Sequence, residues 1–214
     1  MIKVVPAILA NTSEEFDRMI RAVEPYVDRV HLDIMDGDFV TNKTISGYEE
    51  LIRMETKLRF DVHLMVSRPE DQMYYWYKTG ADTFLIHVET DHGHKDLIKQ
   101  IHSNNKKVGL VLNPETPIDK VVDLVDDIDL VQFMTVHPGA YGGEFVESVV
   151  DKIREFHNRY PSISLAVDGS IHTGNADKVI TAGASILVVG SHIFSENRDV
   201  GEAIEEFKKI NENR

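Results

Sequence analysis

The stretch Arg29-Val30-His31-Leu32-Asp33-Ile34-Met35 reads as a strand, Tyr48 to Glu55 as an amphipathic helix, and Leu58 to Met65 as a second strand. The same strand-then-helix unit recurs from end to end of the chain. Further strand candidates are Lys3 to Leu9, Thr83 to Val88, Lys107 to Leu112, Leu130 to Val136, Ser162 to Val167 and Ser185 to Val189. Helices are expected over Glu14 to Glu24, Pro69 to Thr79, Lys95 to Asn104, Pro117 to Val125, Phe145 to Arg159, Thr173 to Thr181 and Val200 to Ile210. Thr12-Ser13-Glu14-Glu15 has the hydroxyl-then-acid pattern of a helix start, Pro69 and Pro117 suit a first turn, and Gly80 and Gly183 are placed to end helices. Apolar residues fill both faces of most strands, as expected where helices cover a parallel sheet. Eight such units predict a single-domain (β/α)8 TIM barrel over residues 1–214. An open doubly wound sheet would need a Gly-rich first turn, which Pro6-Ala7-Ile8-Leu9-Ala10 does not provide.

Composition agrees with one folded domain. The 214 residues are 42% hydrophobic and 28% charged, with no Ser/Pro-rich linker. With 23 Lys and Arg against 36 Asp and Glu the net charge is −13, and no basic patch offers a nucleic-acid or anionic-membrane surface. The absence of cysteine excludes disulfides, thiolate metal sites and cysteine nucleophiles. No apolar run approaches the roughly 18 residues of a membrane span. These features predict a cytoplasmic protein in which any metal is held by His, Asp or Glu.

Barrel chemistry collects at the C-terminal strand ends. Four of the ten histidines fall there: His31, His63, His87 and His137. Residues two apart on a strand point the same way, so His31 and Asp33 project together, His63 arrives from the next strand and Asp168 reaches across from the seventh. Two imidazoles and two carboxylates without sulfur suit a divalent cation, zinc or iron(II) foremost, then cobalt or manganese. A single His-x-Asp is as compatible with buried hydrogen bonding; coincidence at three strand ends favours a site. His87 and Glu89 share this geometry and are expected to orient the ligands rather than to bind. Asp61, one layer deeper, is expected to pack or pair. His92, His94, His102, His157, His172 and His192 read as surface histidines.

Two further signals stand beside the candidate ligands. Gly139, Gly142 and Gly143 follow strand six, Gly169-Ser170 follows strand seven and Gly190-Ser191 follows strand eight, so adjacent loops can offer backbone N–H groups to a phosphate without lysine. Met35, Met65 and Met134 lie close to the strand ends. They either fill core or form a soft apolar cap over a planar intermediate.

The chain resembles the ribulose-phosphate 3-epimerase family through Pro6-Ala-Ile-Leu, His31-Leu-Asp-Ile-Met-Asp-Gly, Asp61-Val-His-Leu-Met-Val, Gly109-Leu-Val-Leu-Asn-Pro, Met134-Thr-Val-x-Pro-Gly, Val167-Asp-Gly and Val189-Gly-Ser. These seven motifs occur in the family's order over almost the whole chain. The resemblance implies a metal-dependent epimerase inverting C3 of a ketose phosphate, D-ribulose 5-phosphate to D-xylulose 5-phosphate. It implies His31, Asp33, His63 and Asp168 as ligands, Asp33 and Asp168 as the acid/base pair, and a homo-oligomer. Asn113-Pro-Glu-Thr-Pro and Val167-Asp-Gly-Ser also resemble the relative acting on D-allulose 6-phosphate, the second substrate expected.

Several positions depart from the family pattern: Ala7 where a serine is usual, Asp38 and Thr41 for histidine and proline, and His137 with Ala140-Tyr141-Gly142-Gly143 for the loop over the substrate. None is a candidate ligand. A lyase or decarboxylase barrel would need a lysine array that Asp33-Ile34-Met35-Asp36 lacks. A non-catalytic sugar-phosphate binder would explain Ala7 but not an intact acid/base set.

Overall fold

The computed structural model describes residues 2–91, 93–139, 142–196 and 198–212. Strands β1 (Lys3–Ile8), β2 (Arg29–Met35), β3 (Arg59–Met65), β4 (Ala81–His87), β5 (Lys107–Leu112), β6 (Leu130–Met134), β7 (Ser164–Asp168) and β8 (Ile186–Val189) close into a barrel in sequence order. Every neighbouring pair is parallel, β1 with β8 included. Helices α1 (Ser13–Val23), α2 (Tyr48–Arg53), α3 (Met73–Trp76), α4 (His94–Ser103), α5 (Ser148–Arg159), α6 (Thr173–Ala182) and α7 (Val200–Glu212) lie between and after them. The expected (β/α)8 barrel is the observed fold. Among the described residues no helix is long and apolar enough to cross a membrane.

The pleat explains why both strand faces are apolar. Val30, Leu32 and Ile34 of β2, with Val62 and Leu64 of β3, belong to the large core between sheet and helices. The alternate residues face the barrel axis, where Leu85, Val111, Leu130, Met134, Val136 and Ala166 form a separate apolar cluster. At the N-terminal end Arg29 pairs with Asp61 and, at 3.2 Å, with Asp82. Asp61 therefore has a partner of its own below the strand ends.

The helix signals hold unevenly. Thr12 caps α1, its hydroxyl accepting from Glu15 N–H at 3.1 Å. Gly183 ends α6 with φ +121. The expected helix Pro117 to Val125 is instead two 3₁₀ segments, Ile118–Lys120 and Val122–Asp127. Its Asp and β-branched residues are weak helix formers, and Lys152 Nζ binds the carbonyls of Asn113, Pro114 and Thr116 just before it. Pro69 to Thr79 likewise breaks into a 3₁₀ turn, Pro69–Asp71, and the single turn of α3. Gly80 does not cap it: α3 ends at Trp76 with Tyr77 as its C-cap, and the Thr79 hydroxyl donates to the Trp76 carbonyl at 2.7 Å.

Gly109 marks a tight point of the barrel interior. A Cβ there would lie 2.6 Å from Leu85 Cδ2 and 2.8 Å from Leu130 Cγ, its neighbours on either strand. Gly109→Ala is expected to destabilise the fold by about 1–3 kcal/mol through overpacking. The urea unfolding midpoint checks this; an unchanged midpoint would show that the barrel interior is looser than described.

Candidate active site

The period-2 pleat puts His31 and Asp33 of β2, His63 of β3 and Asp168 of β7 into one group at the C-terminal end of the barrel. One ligand-type atom from each lies within 4.8 Å of the others, and all four residues are buried. His63 Nδ1 is 3.0 Å from Asp33 Oδ1 and 3.4 Å from Asp168 Oδ2. His31 Nε2 is 3.4 Å from Asp33 Oδ1 and 3.5 Å from Asp168 Oδ2, and although fully enclosed it makes no hydrogen bond of good geometry among the described residues.

These separations suit a cation. Four donors each about 2.0–2.2 Å from a common centre would be roughly 3.0–3.5 Å apart along the edges of the polyhedron. The donor set of two imidazole nitrogens and two carboxylates is of the kind that holds first-row divalent ions, and a bound ion would give the orphaned His31 Nε2 its partner.

The electrostatics carry the same message. Burial alone would lower the proton affinity of His31, but Asp168 and Asp33 outweigh it and lift its pKa to about 10. His63 is raised for the same reasons against the same burial. Burial would raise Asp168, yet the facing imidazoles of His31 and His63 hold it far below the usual carboxylate range. In the cation-free site, imidazole protons thus supply the positive charge that the two carboxylates require.

Behind His63 the ring of His87 lies with Nε2 at 2.9 Å from His63 Nε2, and its Nδ1 is 3.1 Å from Glu89 Oε2. Neither residue joins the four-residue group, in keeping with an orienting part. Burial pushes His87 down to about 4, with Glu89 pulling the other way. Glu89 stays below the usual carboxylate range in spite of its burial, through His87, Thr116 and the Asn113 N–H.

Above the four residues opens a cleft lined by Ala7, Leu9, Asp33, Met35, Met65, Met134, Val136, Pro138, Gly139, Gly142, Asp168, Gly169, Ser170, Gly190 and Ser191. It brings together the three methionines and six of the seven loop residues proposed from sequence. Gly143 is the exception: it lies off this cleft, beside His137 and Phe145, and its carbonyl accepts from the Ser170 hydroxyl. Gly169 has φ +118, and a Cβ there would meet Val136 Cγ2 at 2.5 Å, so only glycine fits. Ser170 follows at φ +49, and the Thr135 hydroxyl fastens the turn by donating to the carbonyls of Asp168 at 3.0 Å and Gly169 at 2.5 Å.

Sequence reasoning missed three contributors. Gln132 is fully buried on the interior face of β6 and its Nε2 donates to Asp168 Oδ2 at 3.1 Å. Its signal was a polar residue at the parity of Met134 within an apolar strand. Asp36 organises the loop after β2: Oδ1 accepts from Asp38 and Phe39 N–H, both at 2.8 Å, and Oδ2 from Ser67 N–H at 2.7 Å. Phe39 then rests against His87, ring centres 4.6 Å apart.

The remaining histidines are more engaged than surface placement implies. His172 caps α6, His192 lies 3.0 Å from Glu206, His102 lies 3.1 Å from Asp129, His94 contacts the His87 carbonyl at 3.2 Å, and His157 Nδ1 is buried. Of the altered positions, Ala7 lines the cleft and His137 sits exposed at its rim against Glu115, 2.6 Å away. His92, Ala140 and Tyr141 lie outside the described residues.

Residues 3–194 match the model of the ribulose-phosphate 3 epimerase family. The chain is 38% identical to the ribulose-phosphate 3-epimerase of Bacillus subtilis (strain 168), covering 97% of this chain and 99% of that one. It is 37% identical to the cytoplasmic isoform of the same enzyme from Oryza sativa subsp. japonica, over 97% and 93%. Among solved structures, 3-hexulose-6-phosphate synthase from Salmonella typhimurium superposes with a TM-score of 0.74 over 99% of both chains at 15% identity, a likeness of fold alone. A barrel with this site, matched along nearly its whole length, belongs to the ribulose-phosphate 3 epimerase family and is an isomerase of that type.

Proposed function

We propose that this chain inverts C3 of a ketose phosphate, converting D-ribulose 5-phosphate to D-xylulose 5-phosphate, in the cytoplasm and as a homo-oligomer. The observation that carries the reading is the convergence of Asp33 and Asp168, from β2 and β7, on one buried group with His31 and His63 at the floor of the cleft. The relatives' names support a pentose phosphate as substrate. D-allulose 6-phosphate presents the same C2–C3 unit and is the second substrate to assay.

The C3 proton is acidic because the neighbouring C2 ketone can accept the electron pair as an enediolate. Inversion needs one acid/base group on each face of that planar species. Asp33 takes the proton from one face and Asp168 returns one to the other, so each turnover exchanges their protonation states. Gln132 holds Asp168 Oδ2 in place during the exchange. Met35, Met65 and Met134, all buried on the cleft wall, keep water from the intermediate without offering it a competing proton. Backbone N–H groups of Gly139, Gly142, Gly169, Ser170, Gly190 and Ser191 are the proposed phosphate cradle, which needs no lysine in so acidic a protein. His31, Asp33, His63 and Asp168 would hold a divalent cation, zinc or iron(II) foremost. When bound it supplies positive charge beside the developing oxyanion.

Three outcomes are expected. Proton NMR of D-ribulose 5-phosphate in D2O with zinc-loaded protein should show loss of the C3 proton signal as xylulose 5-phosphate appears. Exchange with allulose 6-phosphate only would move the assignment to the hexose, and none with either would remove the epimerase reading. Asp33→Asn and Asp168→Asn should each lower turnover by at least about 10²–10⁴-fold while the barrel stays folded by circular dichroism, and near-normal rates would take that aspartate out of the mechanism. Because His31 keeps its proton up to about pH 10 in the cation-free site, a cation must displace it. Zinc affinity by chelator competition should therefore rise about tenfold per pH unit for each proton displaced, between about pH 6 and 8. A flat profile would contradict ligation by His31.

A further inference from the structure

Glu89, His87 and His63 form one hydrogen-bonded line from the rim of the barrel into the site. Glu89 Oε1 accepts from Asn113 N–H at 2.8 Å and from the Thr116 hydroxyl, while Glu89 Oε2 faces His87 Nδ1 at 3.1 Å. His87 Nε2 faces His63 Nε2 at 2.9 Å, and His63 Nδ1 faces Asp33 and Asp168. Both rings are fully buried, so water cannot substitute for a missing donor.

His87 is fully buried against the His63 ring, which disfavours its charged form, and with His87 neutral the line has only one consistent polarity. A carboxylate already accepting from an amide and a hydroxyl is held ionised and can only accept, so the His87 nitrogen facing it must carry hydrogen. In neutral His87 the other nitrogen is then a lone pair, and the nitrogen of His63 that faces it must donate. The reverse order would press a His87 lone pair against a carboxylate oxygen at 3.1 Å in a dry interior.

We infer that Glu89 and His87 are positioning residues that set the tautomer of His63. Its Nε2 keeps a hydrogen whatever occupies the site, and Nδ1 is the nitrogen offered between Asp33 and Asp168. This rests on the proposed ligand role of His63 and adds what fixes it: the selecting group is a carboxylate two residues along, held in turn by the loop after β5. Phe39, seated on the His87 ring, closes the line from above. The same hydrogen bonds should make His63 a stronger donor to a cation than an isolated imidazole.

Long-range 1H–15N correlation spectra of histidine-labelled protein, metal-free and zinc-loaded, test the inference without an activity assay. The expected pattern is hydrogen on His87 Nδ1 with a bare Nε2 in both forms, hydrogen on His63 Nε2 in both, and zinc on His63 Nδ1. Glu89→Gln cannot accept on both sides, since its amide must point a donor either at His87 or at the Asn113 N–H. It should weaken zinc binding about 10–100-fold. Reversed tautomers in the wild type, or a Glu89→Gln protein that binds zinc as tightly as the wild type, would overturn the inference. The wild-type spectra decide by themselves if the variant fails to fold. An active epimerase with reversed tautomers would remove this inference alone, and the expected tautomers in a protein without epimerase activity would remove the proposed reaction alone.

Discussion

Closure of eight parallel strands with a side-chain period of two governs the rest of this molecule. One parity packs against helices and is apolar but for Asp82 near the N-terminal end. The other parity fills the barrel, and near the C-terminal ends it is polar: His31, Asp33, His63, His87, Gln132 and Asp168 all point into a volume from which solvent is nearly excluded. Each buried ion left unpaired there would cost several kcal/mol. The residues are consequently tied to one another, carboxylate to imidazole, imidazole to imidazole and amide to carboxylate, and the pattern of those ties determines what chemistry the site can perform.

Placement within the barrel separates the roles of otherwise similar groups. Asp61 and Asp33 both face the interior from neighbouring strands, two residues apart in register, but Asp61 is paired with Arg29 near the N-terminal end. Among the described residues Asp33 faces His31 and His63, near the C-terminal end. Asp168 differs again in receiving the Gln132 amide, which gives the two proposed acid/base carboxylates unequal surroundings. The loops add a division of labour. Asp36 and Thr135 fasten turns through backbone contacts, leaving Gly139, Gly142, Gly169 and Gly190 to line the cleft.

Much of this was legible in the sequence because period-two alternation and strand ends are local signals. His31-Leu32-Asp33, His63 and Asp168 could be placed on one surface once the strands were counted, and the glycines and methionines followed from the same count. Helix identity was less legible. The turn that leads into the 3₁₀ segments is anchored by the distant Lys152 through the carbonyls of Asn113, Pro114 and Thr116, and Thr79 rather than Gly80 takes the carbonyl at the end of α3. Gln132 escaped notice because it acts through a tertiary contact to Asp168, and Asp36 because its tie to Ser67 forms only when β2 and β3 lie side by side. Most of the histidines taken for surface residues found carboxylates, carbonyls or a helix start as partners, contacts that arise only after folding.

The central claim is that the four residues at the cleft floor hold a divalent cation beside the substrate's reacting carbons. Anomalous diffraction at the zinc edge from zinc-loaded crystals addresses it directly. The account predicts one strong peak within about 2.0–2.2 Å of a donor atom from each of His31, Asp33, His63 and Asp168. A fully loaded crystal with its peak elsewhere, or with His31 or His63 turned away from the ion, would contradict it.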